Sequence, residues 1–415
     1  MSRILFVVPP LHGHVNPTVA VGSELLARGH QVAWTGPPVV LEPLLPDDAV
    51  LLPAGEELGT DAVSLERDRA AGMRGPAAFQ FLWEDFLLPL ARLTAPGVEA
   101  AVGSYAPDVV VADQQAIAGA ITARRHGLPW VTSATTPAEL TRPFELLPKV
   151  GEWVRQHLVD IQLELGVPEA LAHSGDLRFS EQLILAFTTE VLMGDAAAAV
   201  PTSTAFVGPA FGSRPRHDAF PWEWIDDGSA TVLVSLGTVN AEAGARFFTA
   251  AAEAFDGLEV AGAGGTSRPV QAVFICPPEL LAEVPDNVLV RTSVPQLELL
   301  PYLDAVLCHG GNNTVCEALA HGLPLVLAPI RDDQPIVAEQ VVAAGAGRRV
   351  RFGRVRAAEL RRELVEVLEV PSYRASAERV QASFAAAGGA PEAASLVEKL
   401  AGGSSVGFRS TRMSG

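Results

Sequence analysis

His12-Gly13-His14 follows a short apolar run, Ile4 to Val8, and Asp113 follows another, Asp108 to Ala112. An imidazole titrates near neutrality, so it can remove a proton from a hydroxyl when a carboxylate orients its far nitrogen and stabilises the imidazolium. Asp113 is the natural carboxylate for that task, and the residues alone leave His12 and His14 both open as the base. A second series lies in the C-terminal third: Ser293-Val294-Pro295-Gln296, His309-Gly310-Gly311-Asn312-Asn313-Thr314, Glu317, and Asp333-Gln334. A glycine turn at a helix start gathers backbone N–H groups and the positive end of the helix dipole, which suits a phosphate. Glu317, one turn further on, can accept hydrogen bonds from a hydroxyl pair such as a ribose. Asp333 and Gln334 add polar groups at the next helix start. The series has places for phosphate, ribose and sugar, and so for a nucleotide sugar.

These residues need elements to hold them. The sequence predicts a strand over Ile4–Val8, a loop over Leu11–Val15 and a helix over Pro17–Arg28, with Asn16 as its N-cap and Pro17 at its first position. Gln31–Trp34 reads as the next strand, then Asp108–Ala112 as a strand, Gln115–His126 as a helix and Trp130–Ser133 as a strand. Such alternation predicts a parallel, doubly wound sheet, whose ligands bind at the carboxyl ends of its strands. Pro209 to Gly228, rich in Pro, Gly, Trp and charge, reads as a linker. A second α/β series starts at Thr231–Leu236, and the turn Ser235-Leu236-Gly237-Thr238 is small enough to approach a diphosphate. Asp304–Cys308 is a further buried strand, followed by a helix over Asn313–Ala320. A helix from Pro76 to Leu88, stopped or kinked by Pro89, places Phe79, Leu82, Trp83, Phe86 and Leu87 on one face. That face packs into the core or lines a pocket. The tail from Gly402 to Gly415 is rich in Gly and Ser and reads as disordered.

Bulk properties bound the rest. A chain of 415 residues exceeds one ordinary core, so two domains are expected. A formal charge of −18 disfavours nucleic acid and anionic membrane surfaces as partners, so a nucleotide has to be held by local dipoles. Cys276, Cys308 and Cys316 show no zinc spacing and read as buried thiols of a reducing compartment. The first apolar run is too short for a signal peptide and no run is long enough to span a membrane, so a cytoplasmic location is expected.

The segment Ser293 to Gln334 resembles the donor-binding signature of the nucleotide-sugar-dependent glycosyltransferases with the GT-B fold, the family of plant secondary-metabolite and bacterial natural-product enzymes. The steps from His309 to Glu317 and to Asp333-Gln334 match that signature without a gap, and weaker similarity runs along nearly the whole chain. The resemblance implies an α/β protein with two Rossmann-like, doubly wound domains facing a central cleft. Residues 1–208 are then the acceptor-binding domain, 209–228 the linker and 229–375 the nucleotide-sugar domain. Helices in 376–401 cross back to the first domain, ahead of the tail at 402–415.

The resemblance also assigns roles. It makes His14 the base, as the histidine of a Gly-His-x-x-Pro stretch, with Asp113 as its partner and His12 left as a neighbour of the acceptor. It places Gly237 and Thr238 against the donor phosphates or the cleft, and Val294, Gln296, His309, Gly311, Asn313, Thr314, Glu317, Asp333 and Gln334 around the donor. Phe79, Trp83 and Phe86 fall to an apolar small-molecule acceptor. Inversion at the anomeric carbon follows, with no cofactor and no metal. In keeping with that, no Asp-x-Asp triplet, the metal-diphosphate motif of the other large glycosyltransferase fold, occurs in the chain. Glu317 favours a UDP-sugar over a dTDP-sugar, and UDP-glucose first, because a carboxylate pairs well with two neighbouring hydroxyls. Two departures stand out. Ser293 replaces an aromatic residue that stacks on the base, a contact worth about 1–3 kcal/mol in nucleic-acid complexes, and Asn312 stands where plant enzymes have Trp. Rival classes are a UDP-sugar epimerase of the same fold and a nucleotide-sugar-binding partner protein without a base.

Overall fold

The computed structural model describes residues 1–59, 73, 75–141, 147–212, 220–237, 244–262 and 265–403. Thr238, part of the expected linker and nearly all of the tail lie outside the described residues. The chain divides into two compact units. The first comprises Met1–Thr189, Asp195–Pro215 and Ala387–Gly415, and the second Glu190–Gly194 and Arg216–Ala386.

The first unit is built on seven parallel strands: β1 Arg3–Val7, β2 Gln31–Gly36, β3 Val50–Pro53, β4 Val109–Asp113, β5 Trp130–Ala134, β6 Ile184–Ala186 and β7 Thr204–Phe206. Their order across the sheet is β3-β2-β1-β4-β5-β6-β7. Strands of this kind are buried on both faces, so they read as continuous apolar runs. Alternate residues serve opposite faces. Leu5, Val7, Val110 and Ala112 join one apolar cluster, and Ile4, Phe6, Val109 and Val111 join another. The chain leaves β1 towards β2 and β3, then returns to place β4 on the other side of β1. The sheet therefore reverses direction between β1 and β4, where an open α/β sheet leaves a crevice at its carboxyl edge.

The second unit repeats this plan. Its strands are β8 Ala230–Ser235, β9 Glu259–Ala261, β10 Ser267–Ile275, β11 Val288–Arg291, β12 Ala305–Cys308, β13 Leu325–Leu327 and β14 Gly347–Arg349. The parallel order is β11-β10-β8-β12-β13-β14, with β9 antiparallel on β10. Here the reversal falls between β8 and β12. No helix among the described residues is long and apolar enough to cross a membrane.

Several boundaries differ from the sequence expectation. The first helix is His12–Ala27, with Leu11 at its N-cap, so His12 and His14 lie in its first turn and Asn16 is not a cap. Leu11 carbonyl accepts from the N–H groups of His14 and Val15, which starts the helix early. Pro17 is tolerated inside it because the carbonyl it crowds belongs to the first turn. The segment from Pro76 does not stop at Pro89 either. An α-helical turn Pro76–Phe81 passes through a π-helical stretch, Leu82–Leu87, into the helix Leu88–Tyr105. The extra residue of a π turn takes up the proline ring without a break. The helix expected from Gln115 starts at Ile117, since Gln115 N–H donates to the Asp113 carboxylate instead.

The domain limits shift for similar local reasons. Helix Pro371–Ala387 stays with the second unit up to Ala386, and the last helix, Gly389–Ala401, belongs to the first. Gly388 and Gly389 separate them with φ of +87° and +58°, backbone that glycine adopts without strain. The last helix is fastened by Arg28 and His30, which each reach Glu398 at 2.8 Å.

Candidate active site

In the first unit, β1 and β4 pair in register with Val7 beside Ala112, so the turn after β1 and the end of β4 meet at the carboxyl edge. His14 Nδ1 lies 2.9 Å from Asp113 Oδ1. The Asp113 side chain is fully buried and His14 is 13% exposed. A carboxylate without solvent has to be satisfied by fixed donors, and this one is. Gln115 N–H donates to Oδ1 at 2.9 Å and the Thr135 hydroxyl donates to Oδ2 at 2.7 Å. Thr135 Oγ1 also lies 2.7 Å from His14 Nδ1. Sequence reasoning missed Thr135. The signal was available, since it follows β5, the strand that pairs with β4, at the same carboxyl edge. His12 shares the first turn of the helix with His14.

Around this pair lies a second charged group. Arg178 pairs with Asp176 at 2.7 Å and with Glu139 at 3.6 Å, and its guanidinium lies 5.8 Å from the centre of the Trp83 ring. Burial pushes the Glu139 carboxyl up, opposed by Arg178 and, more weakly, by Gln115 and His14. Of the three aromatic residues expected at an acceptor, Trp83 is only 2% exposed and belongs to the apolar core. Phe79 and Phe86 are half-buried against the same cluster, and the Phe79 ring lies 6.3 Å from that of Trp83. Packing is the role the structure shows for them.

In the second unit, Cys308 pairs in register with Ser235 on one side and Leu327 on the other. The turns after β8, β12 and β13 are therefore neighbours, and they carry Gly237, His309 to Gly311, and Asp333-Gln334. Gly237 has φ +71°, and a Cβ there would lie 2.7 Å from His309 Cε1. A Cβ on Gly311 would lie 2.5 Å from His309 Nε2. Both glycines exist to let the imidazole in. His309 is 9% exposed, and its Nδ1 is a buried nitrogen with no hydrogen-bond partner among the described residues. Gly311 is the N-cap of helix Asn312–Ala320, whose first turn holds Asn313 and Thr314, both half-buried.

Glu317 is buried, and Gln296 Nε2 donates to it at 2.6 Å. Two residues separated by a strand and a turn in the sequence thus form one polar unit. Val294 sits in the apolar core, so only its backbone is left for a base. Gln334 is partly committed, because its side-chain oxygen accepts from Ile330 N–H at 2.9 Å and Arg331 N–H at 3.2 Å. Its amide N–H groups remain the donors for a ligand. Asp333 is the N-cap of helix Gln334–Ala343 by position, without a side-chain capping bond.

Burial lowers the His309 pKa from 6.5 to about 4, with a smaller opposing effect from Ser235 backbone. The ring is therefore neutral at pH 7 and acts as a hydrogen-bond group, not a cation. The linkage has a definite sign: between pH 6.5 and 4 the unfolded chain binds a proton that the native state refuses, so stability falls on acidification. The full effect is on the order of 3 kcal/mol. His309→Asn is expected to lose less stability than the parent between pH 6.5 and 4, measured by denaturant unfolding at a series of pH values. Parallel curves for the two proteins would contradict a buried neutral imidazole.

Residues 276–401 match the family model described as Erythromycin biosynthesis protein CIII-like, C-terminal domain. The chain is 29% identical to the demethyllactenocin mycarosyltransferase of Streptomyces fradiae, over 96% of this chain and 87% of that one. Among solved structures it is similar to CalG4, the calicheamicin glycosyltransferase, at 26% identity and TM-score 0.74, covering 97% of this chain and 98% of that one. The glycosyltransferase VinC, solved in complex with dTDP, shares the fold at TM-score 0.71 and 20% identity, over 96% of this chain and 99% of that one.

Proposed function

We propose that this chain, a glycosyltransferase of the GT-B fold and of the natural-product group, moves a hexose from a UDP-sugar to an apolar small-molecule acceptor with inversion. The observation that carries the chemistry is the buried Asp113 carboxylate 2.9 Å from His14 Nδ1. Asp113 holds the imidazole with Nδ1–H towards it, which makes Nε2 the nitrogen that takes the acceptor proton. The acceptor oxygen then attacks the anomeric carbon as the bond from that carbon to the diphosphate oxygen breaks. Its electron pair leaves with the diphosphate, and an α-linked donor gives a β-glycoside. The first turn of helix Asn312–Ala320 and the buried His309 stabilise the charge on the leaving group. The residues named supply this stabilisation without a metal.

UDP is favoured by Glu317. Its carboxylate is buried with one acceptor position taken by Gln296, and a ribose diol supplies two further O–H donors. A 2′-deoxyribose supplies one fewer, and so one hydrogen bond to the carboxylate fewer. UDP-glucose is the first choice because Asp333 and the Gln334 amide can pair with hexose hydroxyls that a deoxysugar lacks. Calorimetric titration with UDP and dTDP in parallel tests this. UDP is expected to bind at least about tenfold more tightly, the equivalent of one hydrogen bond. Tighter dTDP binding would move the donor to a deoxysugar, the reading that the dTDP-bound neighbour favours. Binding of neither would sink the nucleotide-sugar reading.

A further inference from the structure

We infer that Thr135 is a positioning residue of the base assembly, and that its hydroxyl holds the Asp113 carboxylate in the orientation that keeps the proton on His14 Nδ1. The part of this that concerns catalysis rests on the reading of His14 as base. A hydroxyl has one hydrogen to donate and two lone pairs to accept with. Thr135 gives its hydrogen to Asp113 Oδ2 at 2.7 Å, so towards His14 Nδ1, also at 2.7 Å, it can only accept. Asp113 Oδ1, at 2.9 Å from the same nitrogen, is an acceptor as well. Two acceptors converge on Nδ1, which must therefore bear the hydrogen. The lone pair is forced onto Nε2.

Without the hydroxyl, Asp113 loses the donor on Oδ2, and its carboxylate is released to turn away from Nδ1. Thr135 is 5% exposed, which makes it unsuited to a solvent role. Its placement is itself fixed. The Gln114 side chain bridges to the next residue, accepting from Thr136 N–H at 3.4 Å and donating to Thr136 carbonyl at 3.3 Å. The ends of β4 and β5 are clamped together, so the distance from Thr135 to the pair does not depend on a long side chain.

The test is ¹⁵N NMR of the His14 ring in the full-length protein, read together with steady-state kinetics. The parent is expected to show the Nδ1–H tautomer alone. Thr135→Val should give mixed tautomers, with kcat down roughly tenfold, about one hydrogen bond, and donor KM unchanged. Thr135→Ser should restore both. Thr135→Ala makes the same comparison should the valine variant fold poorly. An unmixed Nδ1–H tautomer in the valine or alanine variant overturns the inference. The tautomer is read without turnover, so activity retained on loss of His14 would remove the base reading and leave the Thr135 assignment standing.

Discussion

Replacing His14 with alanine is expected to lower kcat for glycosyl transfer on the order of 10³-fold, within the usual range for a positioned general base. UDP binding should be unchanged. The reason for the separation is that the base and the donor groups belong to different units of the chain. His14, Asp113 and Thr135 are held at the β1/β4 edge of the first unit, while Gln296, His309 and Glu317 belong to the second. Removing the imidazole leaves the acceptor proton with no base, while the unit that carries the donor set keeps all its side chains. Asp113→Asn should act in the same direction. An asparagine can present its N–H₂ to His14 Nδ1 and so favours the wrong tautomer. Transfer rates and UDP calorimetry on the same preparations check both variants. A His14→Ala enzyme within a few-fold of the parent would eliminate this residue as the base and turn attention to His12.

Gly311→Ala is expected to abolish tight UDP binding and to destabilise the second unit by about 1–3 kcal/mol, the range for forcing a group into a packed site. The new Cβ would sit 2.5 Å from His309 Nε2 and 2.8 Å from Cε1. The same ring atoms, Cε1 and Nε2, are already closely approached by Gly237. The imidazole must leave its place, and the proposed phosphate site loses its neutral donor and its shape together. Gly103→Ala is the control. It lies on the helix Leu88–Tyr105 with nothing within 4 Å of an added Cβ, so helix propensity alone acts and stability should rise slightly. Denaturant midpoints and UDP titrations decide the matter. Equal behaviour of the two variants would show that the glycine at 311 does not serve to admit the ring.

Much of this was legible in the amino-acid order. Apolar runs of four to six residues followed by polar turns identified the parallel strands, because a strand buried on both faces has no room for charge. The series His309, Gly311, Asn313, Thr314 and Glu317 could be placed at a glycine turn and a helix start, as the structure has it, because both have a fixed local geometry. Local geometry also misled. Asn16-Pro17 looks like a helix start, yet the Leu11 carbonyl captured two N–H groups and began the helix earlier. Pro89 looks like a stop, yet a π turn absorbed it.

What the sequence determined by itself was the set of groups available: a histidine after the first strand, a carboxylate after a later one, and a contiguous donor series. The tertiary structure decided which of them meet. Asp113 reaches His14 across 99 residues because the sheet reverses between β1 and β4, and Thr135 joins them because β5 lies next to β4. Gln296 found Glu317, and Gly237 found His309, for the corresponding reason in the second sheet. Strand order depends on how whole crossovers pack against both faces, a property of no short segment, and so it could be seen only in the folded chain.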